Sequence, residues 1–358
     1  MRKFSNPILA TTDLEEILHF AKSDYLQLKN KRIFISGGTG FIGKWFIQAL
    51  MQAHYHFNLN LQIMILTRSV ADAISKNPWL NQDYIKFIEG DTRSFEFPEL
   101  PFDVIIHGAV AASAKLNSDN PEEMVRTCTE GTYHILKFAD QCGAKQVLLL
   151  SSGAVYGKQF SEITHIDETS LTGPDILNPG NAYHEGKRMS ELLGAIWAKR
   201  SGYEFKVARC FAFVGPYLPL DTHFAVGNFI ADCLKNRTIE IKGDGSSYRS
   251  LLYGTDLVIC LMRILINGKS CRAYNVGSDY NINIRTMAQY VDKIAEEFFP
   301  QRRDLKDRVI IYGKSNPESP IERYVPSISR IKNELNISIT INLEEALRRT
   351  FRWYINEA

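Results

Sequence analysis

The sequence lacks the features that mark several special classes of protein. Its 358 residues include only six cysteines, with no C-x-x-C pair and no cluster of His and Cys at metal-ligand spacing. The longest apolar stretch, 257–266, is interrupted by Arg263 and falls far short of the roughly 20 residues of a membrane span. Residues 1–14 have no apolar segment of a secretion signal. We therefore expect reduced thiols, no metal site, no membrane association and a cytoplasmic location.

An excess of charge of one sign is also missing. Lys and Arg number 42 and Asp and Glu number 40, which gives a net charge of +2. This balance gives no electrostatic support for nucleic-acid binding. With 45% hydrophobic and 23% charged residues, the composition is typical of a globular protein. The length is large for one compact core, so we expect two lobes.

What is present is an alternation of short apolar strands and helices, which is typical of a parallel sheet covered by helices on both faces. Ahead of it, an amphipathic stripe from Leu14 predicts a helix that Thr12 caps. The predicted strands cover 32–36, 62–67, 84–89, 104–108, 146–151 and 206–210. The later predicted helices cover 41–53, 121–142, 182–200 and 343–354.

A glycine-rich turn links the first strand to the helix that follows it. Its glycines at 37, 40 and 43 form the pattern G-x-x-G-x-x-G. The first permits a tight turn, the second lets backbone amides approach a pyrophosphate, and the third lets the helix pack close to the strand. This context predicts a dinucleotide site formed by Gly37, Thr39, Gly40, Phe41, Ile42 and Gly43. A plain structural turn is the alternative.

The predicted fold class is therefore α/β, a Rossmann-type doubly wound parallel sheet with a smaller C-terminal substrate-binding lobe. We expect residues 1–30 to form a helical leader. The dinucleotide-binding domain is expected over 31–212, completed by part of 250–277. After about residue 213 the alternation weakens and Gly and Pro become frequent, which favours a substrate-binding lobe over 213–358.

The end of the second strand carries the sequence signal for cofactor choice. An acid there would accept a hydrogen bond from the ribose 2′-hydroxyl of NAD, but Arg68 and Ser69 stand in its place. A guanidinium and a hydroxyl suit the 2′-phosphate of NADP, so NADP is favoured and NAD is the alternative. We expect Asp91 and Thr92 over the adenine and Ala109 beside the passing cofactor.

Three further residues point to proton transfer. Tyr183 and Lys187 lie four positions apart and share one face of a predicted helix. An ammonium beside a phenol favours the phenolate, so we expect Lys187 to lower the pKa of Tyr183 toward neutrality. The strand before Ser152 presents a hydroxyl that can polarise a substrate oxygen.

On these residues, the chain resembles an extended short-chain dehydrogenase/reductase of the NAD-dependent epimerase/dehydratase family, whose members act on nucleotide sugars. The resemblance runs over about 31–354, and its matching segments are 37–43, 90–91, 107–109, 151–157, 183–187, 243–245, 248–250, 253–256, 274–277 and 324–327.

The resemblance implies roles for individual residues. By position, it implies a catalytic triad of Ser152, Tyr183 and Lys187, of which Tyr183 and Lys187 also contact the cofactor. Its implied substrate-binding residues are Ser113, Ser152, Asn228, Arg249 and Arg323, the two arginines gripping a nucleotide diphosphate. The helices 121–142 and 182–200 resemble the pair that forms the homodimer interface of the family.

The chain departs from the family pattern beside the triad. Dehydratases and decarboxylases of the family usually carry an acid directly after the triad hydroxyl, but Gly153 and Ala154 here cannot transfer a proton. Many relatives also have Asn where Ala212 stands. A 4,6-dehydration is therefore disfavoured.

Two reactions fit such a site. In the first, NADPH reduces a 4-keto deoxysugar nucleotide at C4 while Tyr183 protonates the oxygen and Ser152 orients it. In the second, a C4 epimerase with tightly bound NAD removes and returns a hydride. Arg68 favours reduction, and a catalytically silent dinucleotide-binding protein is a third alternative.

Overall fold

A computed structural model shows helices and strands alternating along the chain and describes residues 8–110, 114–222, 224–314, 316 and 320–357. Within these residues, no helix combines the length and the apolar character needed to cross a membrane. The helices are α1 (Thr11–Phe20), α2 (Lys22–Leu26), α3 (Phe41–His56), α4 (Val70–Lys76), α5 (Ala114–Asp119), α6 (Pro121–Gln141), α7 (Ala182–Ser201), α8 (Ala225–Leu234), α9 (Gly254–Asn267), α10 (Ile284–Phe298), α11 (Ser329–Leu335) and α12 (Leu343–Glu357). The strands are β1 (Arg32–Ser36), β2 (Gln62–Thr67), β3 (Ile85–Glu89), β4 (Val104–His107), β5 (Gln146–Ser152), β6 (Glu204–Cys210), β7 (Phe213–Val214), β8 (Ile239–Ile241), β9 (Tyr248–Arg249), β10 (Leu252–Tyr253), β11 (Arg272–Val276), β12 (Ile282–Asn283), β13 (Val309–Ile311) and β14 (Arg323–Tyr324).

Seven of these strands form the central sheet. Their order across the sheet is β11-β6-β5-β4-β1-β2-β3, and every neighbouring pair is parallel. The chain winds outward from β1 in one direction, then returns and winds outward from β4 in the other. This doubly wound α/β topology agrees with the predicted fold class, and it opens a crevice where β1 and β4 lie side by side.

The sheet is apolar on both faces because helices cover both. Ile33 and Ile35 of β1 belong to a core shared with α3 and α9, whereas Phe34 between them belongs to a second core beneath α6 and α7. All three side chains are buried. Such strands read as continuous apolar runs rather than alternating ones, which is why the sequence pattern predicts a parallel sheet.

The chain after β6 forms small sheets beside the central one. Strands β12, β9 and β14 form a three-stranded sheet, and β13 pairs with β8. Between these elements, α9 packs against the central sheet and β11 joins its edge beside β6. The C-terminal half of the chain therefore contributes to both the large sheet and the smaller lobe.

Helix α1 is tied to the far end of the chain. The N-cap residue of α1 is Ala10, which makes no side-chain cap bond. The prediction that Thr12 caps this helix is therefore wrong. Asp13 is instead buried, where its carboxylate accepts a hydrogen bond from the Tyr253 hydroxyl at 2.9 Å and pairs with Arg349 of α12 at 2.7 Å. Burial raises the pKa of the Asp13 carboxyl.

Helix α7 lies close to the sheet because it carries a glycine at the point of contact. A Cβ on Gly194 would lie 1.8 Å from the ring of Phe205 in β6. This distance is far below van der Waals contact, so a side chain at 194 would push the helix and its functional residues away from the sheet.

We expect Gly194→Ala to lower the free energy of unfolding by about 1–3 kcal/mol, because the added methyl group overpacks this contact. Denaturant unfolding of the purified protein measures the change. Gly243→Ala is the matched control, since a Cβ there meets no atom within 4 Å. Equal stability of Gly194→Ala and the unaltered protein would contradict the packing argument.

Candidate active site

The carboxyl ends of the central strands bring the predicted site residues to one edge. Ser36 of β1 pairs with His107 of β4, and Ser152 of β5 pairs with Cys210 of β6. The glycine turn after β1 and the hydroxyl at the end of β5 therefore open onto the same crevice.

The first and third glycines of the turn are required by the packing of the chain itself. Gly37 has a φ of +78°, and a Cβ on it would lie 2.6 Å from the carbonyl carbon of Gly108. A Cβ on Gly43 would lie 2.3 Å from the carbonyl oxygen of Gly37. These close approaches press α3 against the end of β1.

The second glycine has a different reason. A Cβ on Gly40 would meet nothing nearer than the Gly37 oxygen at 3.5 Å, so the protein leaves open space above it. Gly40 is also the N-cap residue of α3, and since glycine has no side chain, it leaves the first N–H groups of the helix without a side-chain cap. Open space beside the N–H groups of a long helix fits the pyrophosphate of a dinucleotide. Thr39, Phe41 and Ile42 are half-buried around this space.

His107 supports the turn and is a packed structural residue. Its Nδ1 lies 2.8 Å from the Ser36 hydroxyl and its Nε2 lies 3.0 Å from the Thr132 hydroxyl. Burial lowers the pKa of His107 to about 3, so the ring is neutral. The Ser36 oxygen in turn accepts from the amides of Gly108 and Ala109, at 3.3 and 3.4 Å. This chain of hydrogen bonds holds Ala109 beside the glycine turn.

The tip of β2 carries Arg68 and Ser69 at the predicted position. Arg68 is exposed, and its side chain makes no hydrogen bond within the described residues. The Ser69 hydroxyl caps α4 by accepting from the Asp72 amide at 3.2 Å, so it is already engaged. Glu89, at the end of β3, accepts from the Val70 amide at 2.8 Å. Sequence reasoning missed this carboxylate because only the pairing of β2 with β3 brings it to the tip.

Asp91 and Thr92 follow β3 at the same edge. The Asp91 carboxylate binds Arg93 through Nε at 2.8 Å and Nη2 at 3.0 Å. This pair lowers the pKa of Asp91. Thr92 is buried against Gly131 of α6, where a Cβ would lie 3.0 Å from the Thr92 hydroxyl. Both residues follow the carboxyl end of β3, and their expected position over the adenine stays a prediction.

The structure brings Ser152, Tyr183 and Lys187 together. The Ser152 hydroxyl lies near enough to the Tyr183 phenol to lower its pKa. The Lys187 Nζ lies 5.9 Å from the centre of the Tyr183 ring and donates to the Leu150 carbonyl at 2.8 Å. Asn117 accepts from the Tyr183 amide at 2.8 Å and so fixes the first turn of α7.

Burial controls the electrostatics of this group. It raises the pKa of Tyr183, and the nearby Ser152 hydroxyl offsets this rise only in part. It also lowers the pKa of Lys187. The expectation that Lys187 brings the Tyr183 pKa toward neutrality is therefore wrong, because desolvation of the phenolate is the largest influence on this pKa and raises it.

The position of the missing acid is filled by aromatic rings. A Cβ on Gly153 would lie 2.6 Å from the ring of Phe211, so no acidic side chain fits there without moving that ring. Phe211 in turn packs on Tyr324, with ring centres 4.7 Å apart. Beside the triad, the chain has therefore replaced a proton-transferring group with packed rings.

Arg249 and Arg323 lie on the neighbouring strands β9 and β14, which pair in parallel. The Arg323 guanidinium lies 4.5 Å from the centre of the Tyr248 ring, and its buried Nε has no partner among the described residues. Burial lowers the pKa of Arg249, whose closest carboxylate contact is Glu322 at 3.9 Å. Each guanidinium group is partly buried and keeps hydrogen-bond donors that an anion could accept from.

The other two predicted substrate contacts, Asn228 and Ser113, stay predictions. Asn228 is exposed on α8, whose buried face is formed by Val226, Phe229 and Ile230. Ser113 lies outside the described residues. Tyr324 belongs to a matching segment but received no role from the sequence, although its hydroxyl lies 3.4 Å from the Ser152 oxygen. Only the return of β14 to the triad reveals this contact.

Comparisons with known proteins identify several that are similar to this chain. UDP-glucuronic acid decarboxylase 6 of Arabidopsis thaliana is 30% identical over 324 residues, which cover 89% of this chain and 87% of that protein. A dTDP-glucose 4,6-dehydratase from Streptomyces venezuelae with NAD bound has a TM-score of 0.74 at 22% identity, over 91% of this chain and 97% of the other. A UDP-N-acetylglucosamine 4-epimerase from Methanobrevibacter ruminantium has a TM-score of 0.77 at 20% identity, over 92% of this chain and all of the other.

The two solved structures share the fold of this chain, and the family assignment has a separate basis. The model of the NAD dependent epimerase/dehydratase family matches residues 33–277, which include the glycine turn, the triad and Arg249. The chain therefore belongs to the NAD dependent epimerase/dehydratase family and is an enzyme.

Proposed function

We propose that the protein reduces a 4-keto sugar nucleotide at C4 with NADP(H). The observation that carries this proposal is a site of buried Ser152, half-buried Tyr183 and buried Lys187 whose adjacent acid position is filled by Phe211. Such a site can transfer a proton at one oxygen. It has no second acid beside the triad for chemistry at C5 or C6.

The protonation state of Tyr183 favours the direction of reduction. Burial raises its pKa, so the phenol holds its proton at neutral pH and can act as the acid. The nicotinamide cofactor supplies the hydride when bound. Ser152 donates a hydrogen bond to the keto oxygen, and Lys187 holds the nicotinamide ribose and carries a positive charge near the developing alkoxide.

The substrate class follows from the anion site. Arg249 and Arg323 on paired strands can bind the two phosphates of a nucleotide diphosphate, and the Tyr248 ring holds one of these guanidiniums in place. The named relatives act on UDP and dTDP sugars. Decarboxylation or 4,6-dehydration is less well supported for this chain, because Gly153 and Ala154 carry no acid.

A nucleotide-sugar C4 epimerase with bound NAD is the second candidate. The Glu89 carboxylate at the amide of Val70 favours it, since a negative charge at this tip opposes a 2′-phosphate and the Ser69 hydroxyl is already used as a cap. Identification of the dinucleotide released on denaturation separates the candidates. Stoichiometric NAD supports the epimerase, and an empty protein supports the reductase.

The proposal for the assembled enzyme is a cytoplasmic homodimer. Tyr133 of α6 and Met189, Leu192 and Ile196 of α7 are each 44–55% exposed on adjacent helices, which leaves an apolar strip on the surface. A second copy of the same strip would cover it. All six cysteines are free, as suits a reducing compartment.

Tyr183→Phe should lower kcat by about 10²- to 10⁴-fold, because it removes the proton donor while keeping the ring. Titration should give an unchanged dinucleotide affinity. Tyr312→Phe removes an exposed hydroxyl that binds Glu240 and is the matched control. Unchanged turnover in Tyr183→Phe would reject the proposed role of this residue.

The emptied protein should bind NADPH at least about tenfold more tightly than NADH, a difference of about 1.4 kcal/mol. Arg68→Ala should abolish this preference, since the guanidinium is the cation at the tip of β2 that would face the 2′-phosphate. Isothermal titration measures both affinities. Lys145→Ala, at the opposite edge of the sheet, should leave them unchanged. Equal affinities in the unaltered protein would exclude the role proposed for Arg68.

Light scattering should give the mass of a dimer at micromolar concentration, and Leu192→Asp should give the mass of a monomer. The carboxylate introduced at position 192 would be buried in the centre of the proposed interface without a partner. Phe160→Asp, which changes an exposed side chain outside α6 and α7, should stay dimeric. A monomeric mass for the unaltered protein argues against this assembly.

A further inference from the structure

We infer that Tyr324 is a positioning residue that turns the Ser152 hydroxyl into a hydrogen-bond donor toward the substrate oxygen. The inference rests on the proposed reduction at C4 for its kinetic consequence. Its structural basis is the contact of 3.4 Å between the Tyr324 hydroxyl and the Ser152 oxygen, which links β14 of the smaller lobe to the end of β5.

The surroundings of Ser152 limit where its proton can go. A serine hydroxyl has one proton to donate and can accept two hydrogen bonds. The Ala154 amide donates to the Ser152 oxygen at 3.1 Å, and the Tyr324 hydroxyl is placed to donate to it as well. With both acceptor positions filled, the single proton points to Tyr183 or to a substrate oxygen beside it.

Two arrangements of these hydroxyl protons are open without substrate. Tyr324 can donate to Ser152, or Ser152 can donate to Tyr324, whose own proton then goes to the Cys210 carbonyl at 3.5 Å. A keto oxygen only accepts hydrogen bonds. Its arrival selects the first arrangement, in which the phenol donates to the serine and the serine donates to the ketone. Hydrogen bonds in such a chain polarise and strengthen one another.

The ring of Tyr324 is held by the same packing that excludes an acid from the site. It lies against Phe211, which itself fills the space beside Gly153. The next amide, that of Val325, donates to Gln159 at 3.1 Å. The ring contact and the bond of the following amide both restrict Tyr324. Its hydroxyl is therefore held in one position, and little further side-chain entropy is lost when it orients Ser152.

The neighbouring residue separates this role from substrate binding. Arg323 belongs to the proposed anion site and precedes Tyr324 in β14. Loss of the Arg323 guanidinium should raise the KM for the sugar nucleotide, whereas loss of the Tyr324 hydroxyl should act on kcat. A merely structural role for β14 would move both parameters together.

The test is Tyr324→Phe, which keeps the ring on Phe211 and removes only the hydroxyl. We expect kcat for the 4-keto sugar nucleotide to fall about tenfold, with KM and dinucleotide affinity within about twofold of the unaltered protein. Tyr312→Phe is again the matched control. An unchanged kcat, or a rise in KM alone, overturns the inference.

A double-mutant cycle shows whether Tyr324 acts through Ser152. In a Ser152→Ala background, Tyr324→Phe should have no further effect on kcat, because the hydroxyl that it orients is gone. A full additional tenfold loss would mean that Tyr324 acts on the substrate directly, and it would overturn the positioning role.

If the protein turns over no 4-keto sugar nucleotide, the proposed function is rejected, but the role of Tyr324 can still be tested by a titration. The probe is the near-ultraviolet phenolate absorbance of the NAD-saturated protein, minus that of Tyr183→Phe. Besides Lys187, the groups facing Tyr183 are Cys128 of α6, Cys210 of β6 and Tyr324. The Ser152 hydroxyl lowers the pKa of Tyr183. Without the Tyr324 hydroxyl at 3.4 Å, the Ser152 O–H is less polarised and stabilises the Tyr183 phenolate less, so the ionisation midpoint of Tyr183 should move to higher pH. Equal midpoints overturn the inference.

Discussion

The buried contact of α7 with the end of β5 determines the geometry of the whole site. The Lys187 ammonium is enclosed and donates to the Leu150 carbonyl at 2.8 Å. One turn later, Glu191 accepts from the hydroxyl of Ser151 at 2.6 Å. A buried charge without such partners would cost free energy of folding. These contacts therefore fix the rotation of α7 about its axis and its position along that axis relative to β5. Tyr183 meets the strand end only because the helix is held in that position.

Features that depend on short segments could be predicted from the sequence, and features that depend on distant pairing could not. The glycine turn and the spacing of Tyr183 and Lys187 are local patterns, and the parallel sheet follows from apolar runs. Glu89 lies at the tip of β2 only because β3 pairs with β2. Tyr324 lies beside the triad only because β14 pairs with β9 and returns to the end of β5. The pKa of Tyr183 also needs the structure, because burial is the largest influence on this pKa and raises it.

The aromatic packing beside the triad shows how one scaffold can be restricted to a narrow range of reactions. Phe211 lies where an acid would have to extend from position 153, and Tyr324 closes the same space from the other lobe. The triad itself needs no alteration for this restriction. Under the proposed function, the choice of reaction depends on what surrounds the proton donor more than on the donor itself.

The cluster around Asp13 has a consequence for the synthesis of the chain. Its carboxylate lies in α1, its hydrogen-bond donor Tyr253 lies at the end of β10, and its cation Arg349 lies in α12. A nascent chain that has not yet released α12 from the ribosome holds this buried carboxylate without its guanidinium. The central sheet can form before that point, but the contacts around Asp13 are completed only when α12 is available to pack beside α1.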